Sequence, residues 1–191
     1  MSTNTEQQQL ELCTSWLQKV VIGMNLCPFA KPVDKAGGIH YAITQQSQRQ
    51  ELLMFFAEQL QLIAQAKDTE IATSLVIYPH GLDDFYDYLD FLAQCEKLLD
   101  SGGHSGVFQL ASFHPQYLFG GVDATDLSHW SNRSPYPIIH IIREQQMSEV
   151  LAKHPNPDAI PERNIAFLQA LGSDELIKRF PPFGDYARGE S

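Results

Sequence analysis

The chain has 191 residues, 43% of them hydrophobic and 19% charged, proportions that belong to a folded globular body and exclude a disordered one. Thirteen basic against twenty-three acidic residues leave a formal net charge of −10, a field that repels phosphate backbones and anionic lipid, so nucleic acid and membrane surfaces are poor partners. A body of this size buries about 70% of its unfolded surface, so one domain over 1–191 is expected, with peripheral tails at 1–8 and 181–191.

The lead Met1 to Gln9 lacks the basic and apolar regions of a secretory signal, and no apolar stretch approaches the length of a membrane span. Cys13, Cys27 and Cys95 are odd in number and match neither zinc nor C-x-x-C spacing, which reads as reduced thiols in a cytoplasmic protein. From Leu10 onward, Cys13, Trp16, Leu17, Val20, Val21 and Met24 recur at helical spacing until Pro28. A Pro/Gly-rich link, Lys31 to Gly38, leads to Ile39, Tyr41 and Ile43, which alternate with His40, Ala42 and Thr44 as in a strand. Gln48 to Ala66 predicts a helix whose inner face holds Leu52, Phe55, Phe56, Leu62 and Ile63. Thr73 to Tyr78 is almost continuously apolar, the pattern of a central strand covered on both faces. After Asp83 and Asp84, a helix with Phe85, Tyr88, Leu89, Leu92, Cys95 and Leu99 on one side runs to Ser101-Gly102-Gly103. Strands are predicted at Val107 to Phe113 and Pro137 to Ile142, and helices at Gln146 to Lys153, Glu162 to Leu171 and after Ser173.

The order αβαβαββαα predicts an α/β (α+β) sandwich with a sheet of about four strands and helices packed on it. Three strands can run parallel through crossovers, the sheet becomes mixed if the fourth turns antiparallel, and a ferredoxin-like layout is among the arrangements admitted. The 22 residues Pro115 to Tyr136, between strands three and four, form a longer loop than a compact domain usually carries without a use for it.

Cys27 stands between a helix and Pro28. If Pro28 opens a new helical turn, Cys27 takes its N-cap, where free backbone donors favour the thiolate and lower the pKa; the alternative is a buried structural thiol beside Phe29. His114, at the end of strand three, suits a general base or a ligand, or else a core histidine tied to loop backbone. Asn132-Arg133-Ser134-Pro135-Tyr136-Pro137 holds a polar triplet rigid, so Asn132 and Arg133 are candidates for clamping a carboxylate or phosphate, or for tying down the loop. His140 lies among isoleucines, where desolvation demands a partner or a site, and Arg143 ends the same strand. Glu162, Arg163 and Asn164 open a helix, and Arg133, Arg143 and Arg163 make three of six arginines in these segments, which points to an anionic ligand. Asp83, Asp84, Asp87 and Asp90 read as a solvated helix face. Asp123, Asp126 and His129 lack a metal pattern, and no phosphate loop, G-x-S-x-G or H-E-x-x-H calls for a cofactor.

Trp16-Leu17-Gln18-Lys19-Val20-Val21-Ile22-Gly23-Met24-Asn25-Leu26-Cys27-Pro28-Phe29-Ala30, Phe113-His114-Pro115-Gln116-Tyr117, Asn132 to Pro137 with His140, Arg143 and Glu144, and Ile160-Pro161-Glu162-Arg163-Asn164-Ile165 together resemble the bacterial proteins catalogued as domain of unknown function family 1415. The likeness covers most of the chain and implies neither a reaction nor a cofactor. Two functions remain open on the residues. One is an enzyme or binder of a small anionic metabolite, with Cys27, His114 and His140 as catalytic groups and Asn132, Arg133, Arg143, Glu162, Arg163 and Asn164 around the ligand. The other is a non-catalytic interaction module whose acidic surface meets a protein partner of unknown identity, and a metal protein built on His114, His140 and Cys27 ranks behind both.

Overall fold

A computed structural model describes residues 5–184. Thr5 opens α1 (Glu6–Trp16) with a reciprocal cap, its hydroxyl taking the Gln8 N–H while the Gln8 side chain takes that of Thr5. The helix widens into a π-helical segment, Leu17–Ile22, which ends at Gly23. The Gly23 N–H reaches back to the Gln18 carbonyl, and a Cβ at Gly23 would stand 2.4 Å from the Lys19 carbonyl oxygen, so only glycine closes this turn without displacement. A short helix, α2 (Ala30–Lys35), then occupies most of what the prolines and glycines mark as a link.

The next elements are β1 (Ile39–Ile43), α3 (Arg49–Gln65), β2 (Thr73–Ile77), α4 (Phe85–Ser101), β3 (Phe108–Phe113) and β4 (Ile138–Arg143). They are followed by α5 (Glu144–Lys153), α6 (Ile160–Leu171) and α7 (Ser173–Arg179). Asp84 caps α4 by accepting from the N–H groups of Tyr86 and Asp87, and Asp83, Asp84, Asp87 and Asp90 are all exposed.

The sheet has the order β1-β2-β4-β3. β1 and β2 are parallel, with α3 between them in the chain, while β4 is antiparallel to both β2 and β3. The three strands β1, β2 and β3 therefore point one way and β4 the other, which makes the sheet mixed. The chain order is βαβαββ, so the ferredoxin-like expectation holds only for the split unit β2-α4-β3 that receives β4 in its middle; the outer strand β1 is parallel to its neighbour.

Alternation along β2 and β4 sends side chains to two cores. Leu75, Ile77 and Ile138 pack against α1, the π-helical segment, α6 and α7, with Ile39, Tyr41 and Phe113 alongside. Val76, Ile139, Ile141 and Phe108 pack against α3 and α4 on the other face, where Cys95 is fully buried. The long loop between β3 and β4 folds over the first core through a 3-10 turn, Leu127–Ser131, and Trp130 from that turn meets Phe183 edge-on at 4.7 Å. Phe183 and Gly184 are buried while Pro181 is exposed; Gln9, just past the expected N-terminal tail, is buried as well. Residues 1–4 and 185–191 lie outside the described residues. Among the described residues, no helix is long and apolar enough to cross a membrane.

Candidate functional site

A cavity of about 220 Å³ lies on the first face of the sheet. Its floor is Leu75, Ala111, Phe113, His140 and Ile142, one wall comes from Trp16, Leu17 and Val21, and the cover comes from Cys27, Phe29, Ala30 and Val33 on one side and Met147 and Val150 of α5 on the other. The walls are overwhelmingly apolar. The π-helical turn contributes directly, since Leu17 and Val21 belong to it, and Trp16 is locked in place by its indole N–H, which donates to the Arg133 carbonyl at 2.8 Å. α5 has no fully buried residue, so its apolar stripe is available to the cavity rather than sunk in either core.

His140 is the ionisable side chain of the floor. Thr73 stands beside it on β2, with its oxygen 2.5 Å from Nε2 and 2.8 Å from the Ile141 carbonyl. A hydroxyl has one proton, and a carbonyl can only accept, so Thr73 donates to Ile141 and receives the Nε2–H of His140. Burial among isoleucines pushes the imidazole pKa down to about 4, and the ring is neutral at pH 7.

Cys27 also lines the cavity. The expected N-cap position does not hold: Phe29 caps α2, Cys27 lies two residues earlier, and the Ala30 N–H donates to the Cys27 carbonyl at 3.3 Å. Nor does the expected depression of its pKa follow: desolvation outweighs the favourable influence of the Phe29 and Ala30 N–H groups and of the nearby Arg163 charge, and the thiol pKa is raised. The loop that presents it is held from α6. Arg163 donates to the Asn25 carbonyl, Asn164 donates to the Leu26 carbonyl at 2.7 Å, and Asn25 itself takes a left-handed φ of 54°. Arg163 and Asn164 therefore act on the shape of the Cys27 loop, while Glu162 is exposed in the first turn of α6.

Arg143 borders the cavity through β4, but its guanidinium lies on the opposite face of the sheet, over the Phe108 ring at 5.4 Å. There Nη2 donates to the carbonyls of Ile63 and Ala66 at 2.7 and 2.9 Å, and Nε donates to that of Ile71 at 3.0 Å, closing the C-terminal end of α3. Arg133 stacks on Trp130 at 5.1 Å, and burial lowers its pKa. Asn132 donates to the Ser112 carbonyl at 3.1 Å, tying the loop to β3.

His114 lies outside the cavity, fully buried against Phe85 and Tyr88. Its Nδ1 accepts the Gln116 N–H at 3.0 Å, which puts the ring proton on Nε2 for donation to the Leu82 carbonyl at 2.9 Å, so both nitrogens are committed. His129 is similarly engaged, with the Phe119 N–H and the Asp123 carbonyl. Among the described residues, no group of three or more His, Cys, Asp or Glu side chains could hold a metal ion.

Of the nine candidate residues, Cys27, His140 and Arg143 border one cavity and the other six do not. Sequence reasoning missed Thr73, Ala111, Met147 and Val150. The apolar spacing of Met147, Val150 and Leu151 on a predicted helix was a readable signal; the pairing of Thr73 with His140 spans 67 residues and had none. A family model described as "Protein of unknown function (DUF1415)" matches residues 8–178. No curated protein matches the chain, and no solved structure does.

Proposed function

The chain belongs to the DUF1415 family of unknown function, and within it we propose a small-molecule-binding protein whose ligand occupies the cavity between the sheet, α2 and α5. The observation that carries this reading is the cavity itself, about 220 Å³ with apolar walls and the His140 ring in its floor. A cavity of about 150 Å³ takes benzene, so this one suits a ring with one or two substituents. An anionic occupant of the cavity finds little support, because the guanidinium groups of Arg143 and Arg163 serve backbone carbonyls and Arg133, whose buried Nε has no hydrogen-bond partner among the described residues, does not line it. A docking surface for a protein finds less, since the exposed apolar residues Met54, Leu62, Tyr86, Val107, Val122 and Ile165 are spread over α3, α4, the approach to β3, the long loop and α6.

Thermal unfolding in the presence of toluene tests the reading. A ligand confined to the folded state stabilises it by about 2.7 kcal/mol at a hundredfold excess over Kd, so the wild-type Tm should climb with toluene concentration. Met147→Trp, a substitution on the half-buried side of α5 that fills the cavity, should cancel most of the rise. A Tm that toluene leaves unmoved in the wild type would remove the proposal.

A further inference from the structure

The polar groups around the cavity differ in what they have left to offer. Thr73 commits its proton to Ile141 and its oxygen to His140, and Arg143 is engaged on the far face. Gln146 points its amide nitrogen at the Asp68 carbonyl, 3.4 Å away. With its proton fixed on Nε2, His140 keeps a lone pair on Nδ1, and Nδ1 has no partner among the described residues although the ring lines the cavity.

We propose that the cavity selects an uncharged molecule carrying a hydrogen-bond donor, a phenolic or alcoholic O–H or an amide N–H, and that Nδ1 of His140 receives that donor. The inference rests on the cavity reading above and names its ligand class. A carboxylate brings only lone pairs to a group that offers only a lone pair, and it brings charge into apolar walls with no free cation to meet it. A wholly apolar molecule fits the volume but leaves the imidazole acceptor unsatisfied, which a buried polar group does not tolerate without cost. The Thr73 hydroxyl is thus a positioning group: by accepting from Nε2 it fixes which nitrogen carries the proton and which keeps its lone pair.

Calorimetric titration of the full chain at pH 7 with toluene, phenol and benzoate tests the inference, alongside the nitrogen resonances of His140 in the wild type. Phenol should bind at least tenfold more tightly than benzoate, the Nδ1 resonance should shift on addition of phenol and stay in place with toluene, and His140→Leu should weaken phenol at least fivefold more than toluene. The Nδ1 reading needs no variant, so it stands even if His140→Leu fails to fold. Toluene binding with an Nδ1 resonance indifferent to phenol, or benzoate binding as well as phenol, overturns the donor–acceptor inference and leaves the cavity reading intact. Failure of toluene to bind overturns the cavity reading and this inference with it.

Discussion

Burial acts on Cys27 and His140 in opposite chemical directions and with one result. It raises the thiol pKa and lowers the imidazole pKa, so each is held in its uncharged form at neutral pH. For Cys27 the consequence is slow alkylation: iodoacetamide should modify it in the native chain more slowly than it modifies a cysteine in an unfolded peptide, with the rate inflecting at higher pH, as mass spectrometry of the labelled peptide would show. Fast labelling with an inflection below the ordinary cysteine range would restore the activated nucleophile. For His140 the consequence is a stability that depends on pH. The unfolded chain binds the proton near pH 6.5 and the folded chain only near pH 4, so between these values the unfolded state holds more protons and stability falls as pH falls through the window. The share lost by pH 4 amounts to at most about 3 kcal/mol. His140→Gln, which can still donate to Thr73 and cannot titrate, should show a shallower decline in urea unfolding between pH 6.5 and 4; identical slopes would contradict the assignment. The residue types were legible in the sequence and their states were not, because the pKa of a thiol beside an N-terminus depends on how much water the tertiary fold removes from it.

At the scale of elements, the site depends on an unusual helix and on a loop held from a distance. The apolar spacing from Cys13 to Met24 reads as one helix and does form one continuous coil, but the π-helical turn at Leu17–Ile22 has no signature in that spacing. The prolines and glycines of Lys31 to Gly38 conceal α2, since Pro32 falls in its first turn, where a missing N–H is harmless. Arg163 and Asn164 looked like ligand contacts because a helix start gave them no other reason to be there. Their partners, the carbonyls of Asn25 and Leu26, are 138 residues away and could not be guessed. Asn164→Ala should cost about 1–2 kcal/mol by leaving the Leu26 carbonyl without its donor, and exposed Arg163→Ala should cost less than about 1 kcal/mol. Both should accelerate Cys27 alkylation by loosening the loop, and an unchanged rate in both variants would detach α6 from the site.

At the scale of the whole molecule, the mixed four-stranded sheet divides the interior into two cores and places the cavity in only one of them. The central position of β2 followed from its unbroken apolar run, and every helix but α2 followed from periodicity. The insertion of β4 between β2 and β3 did not, because an isoleucine-rich strand does not say which neighbours it pairs with. That insertion puts His140 opposite Leu75 and Ala111 and within reach of Thr73, so the site is a product of topology more than of any local motif. The docking of Phe183 on Trp130 likewise joins the segment after α7 to the loop between β3 and β4 across a distance that local composition does not record.

Methyl-labelled NMR of the full chain during a toluene titration tests the central claim most directly. Occupation of the cavity predicts shifts at the methyl groups of Val21, Leu75, Ile142 and Val150, with Ile63, Ile139 and Ile141 on the opposite face of the sheet unmoved. Shifts spread over both faces, or none at saturating toluene, would contradict a ligand cavity at this place.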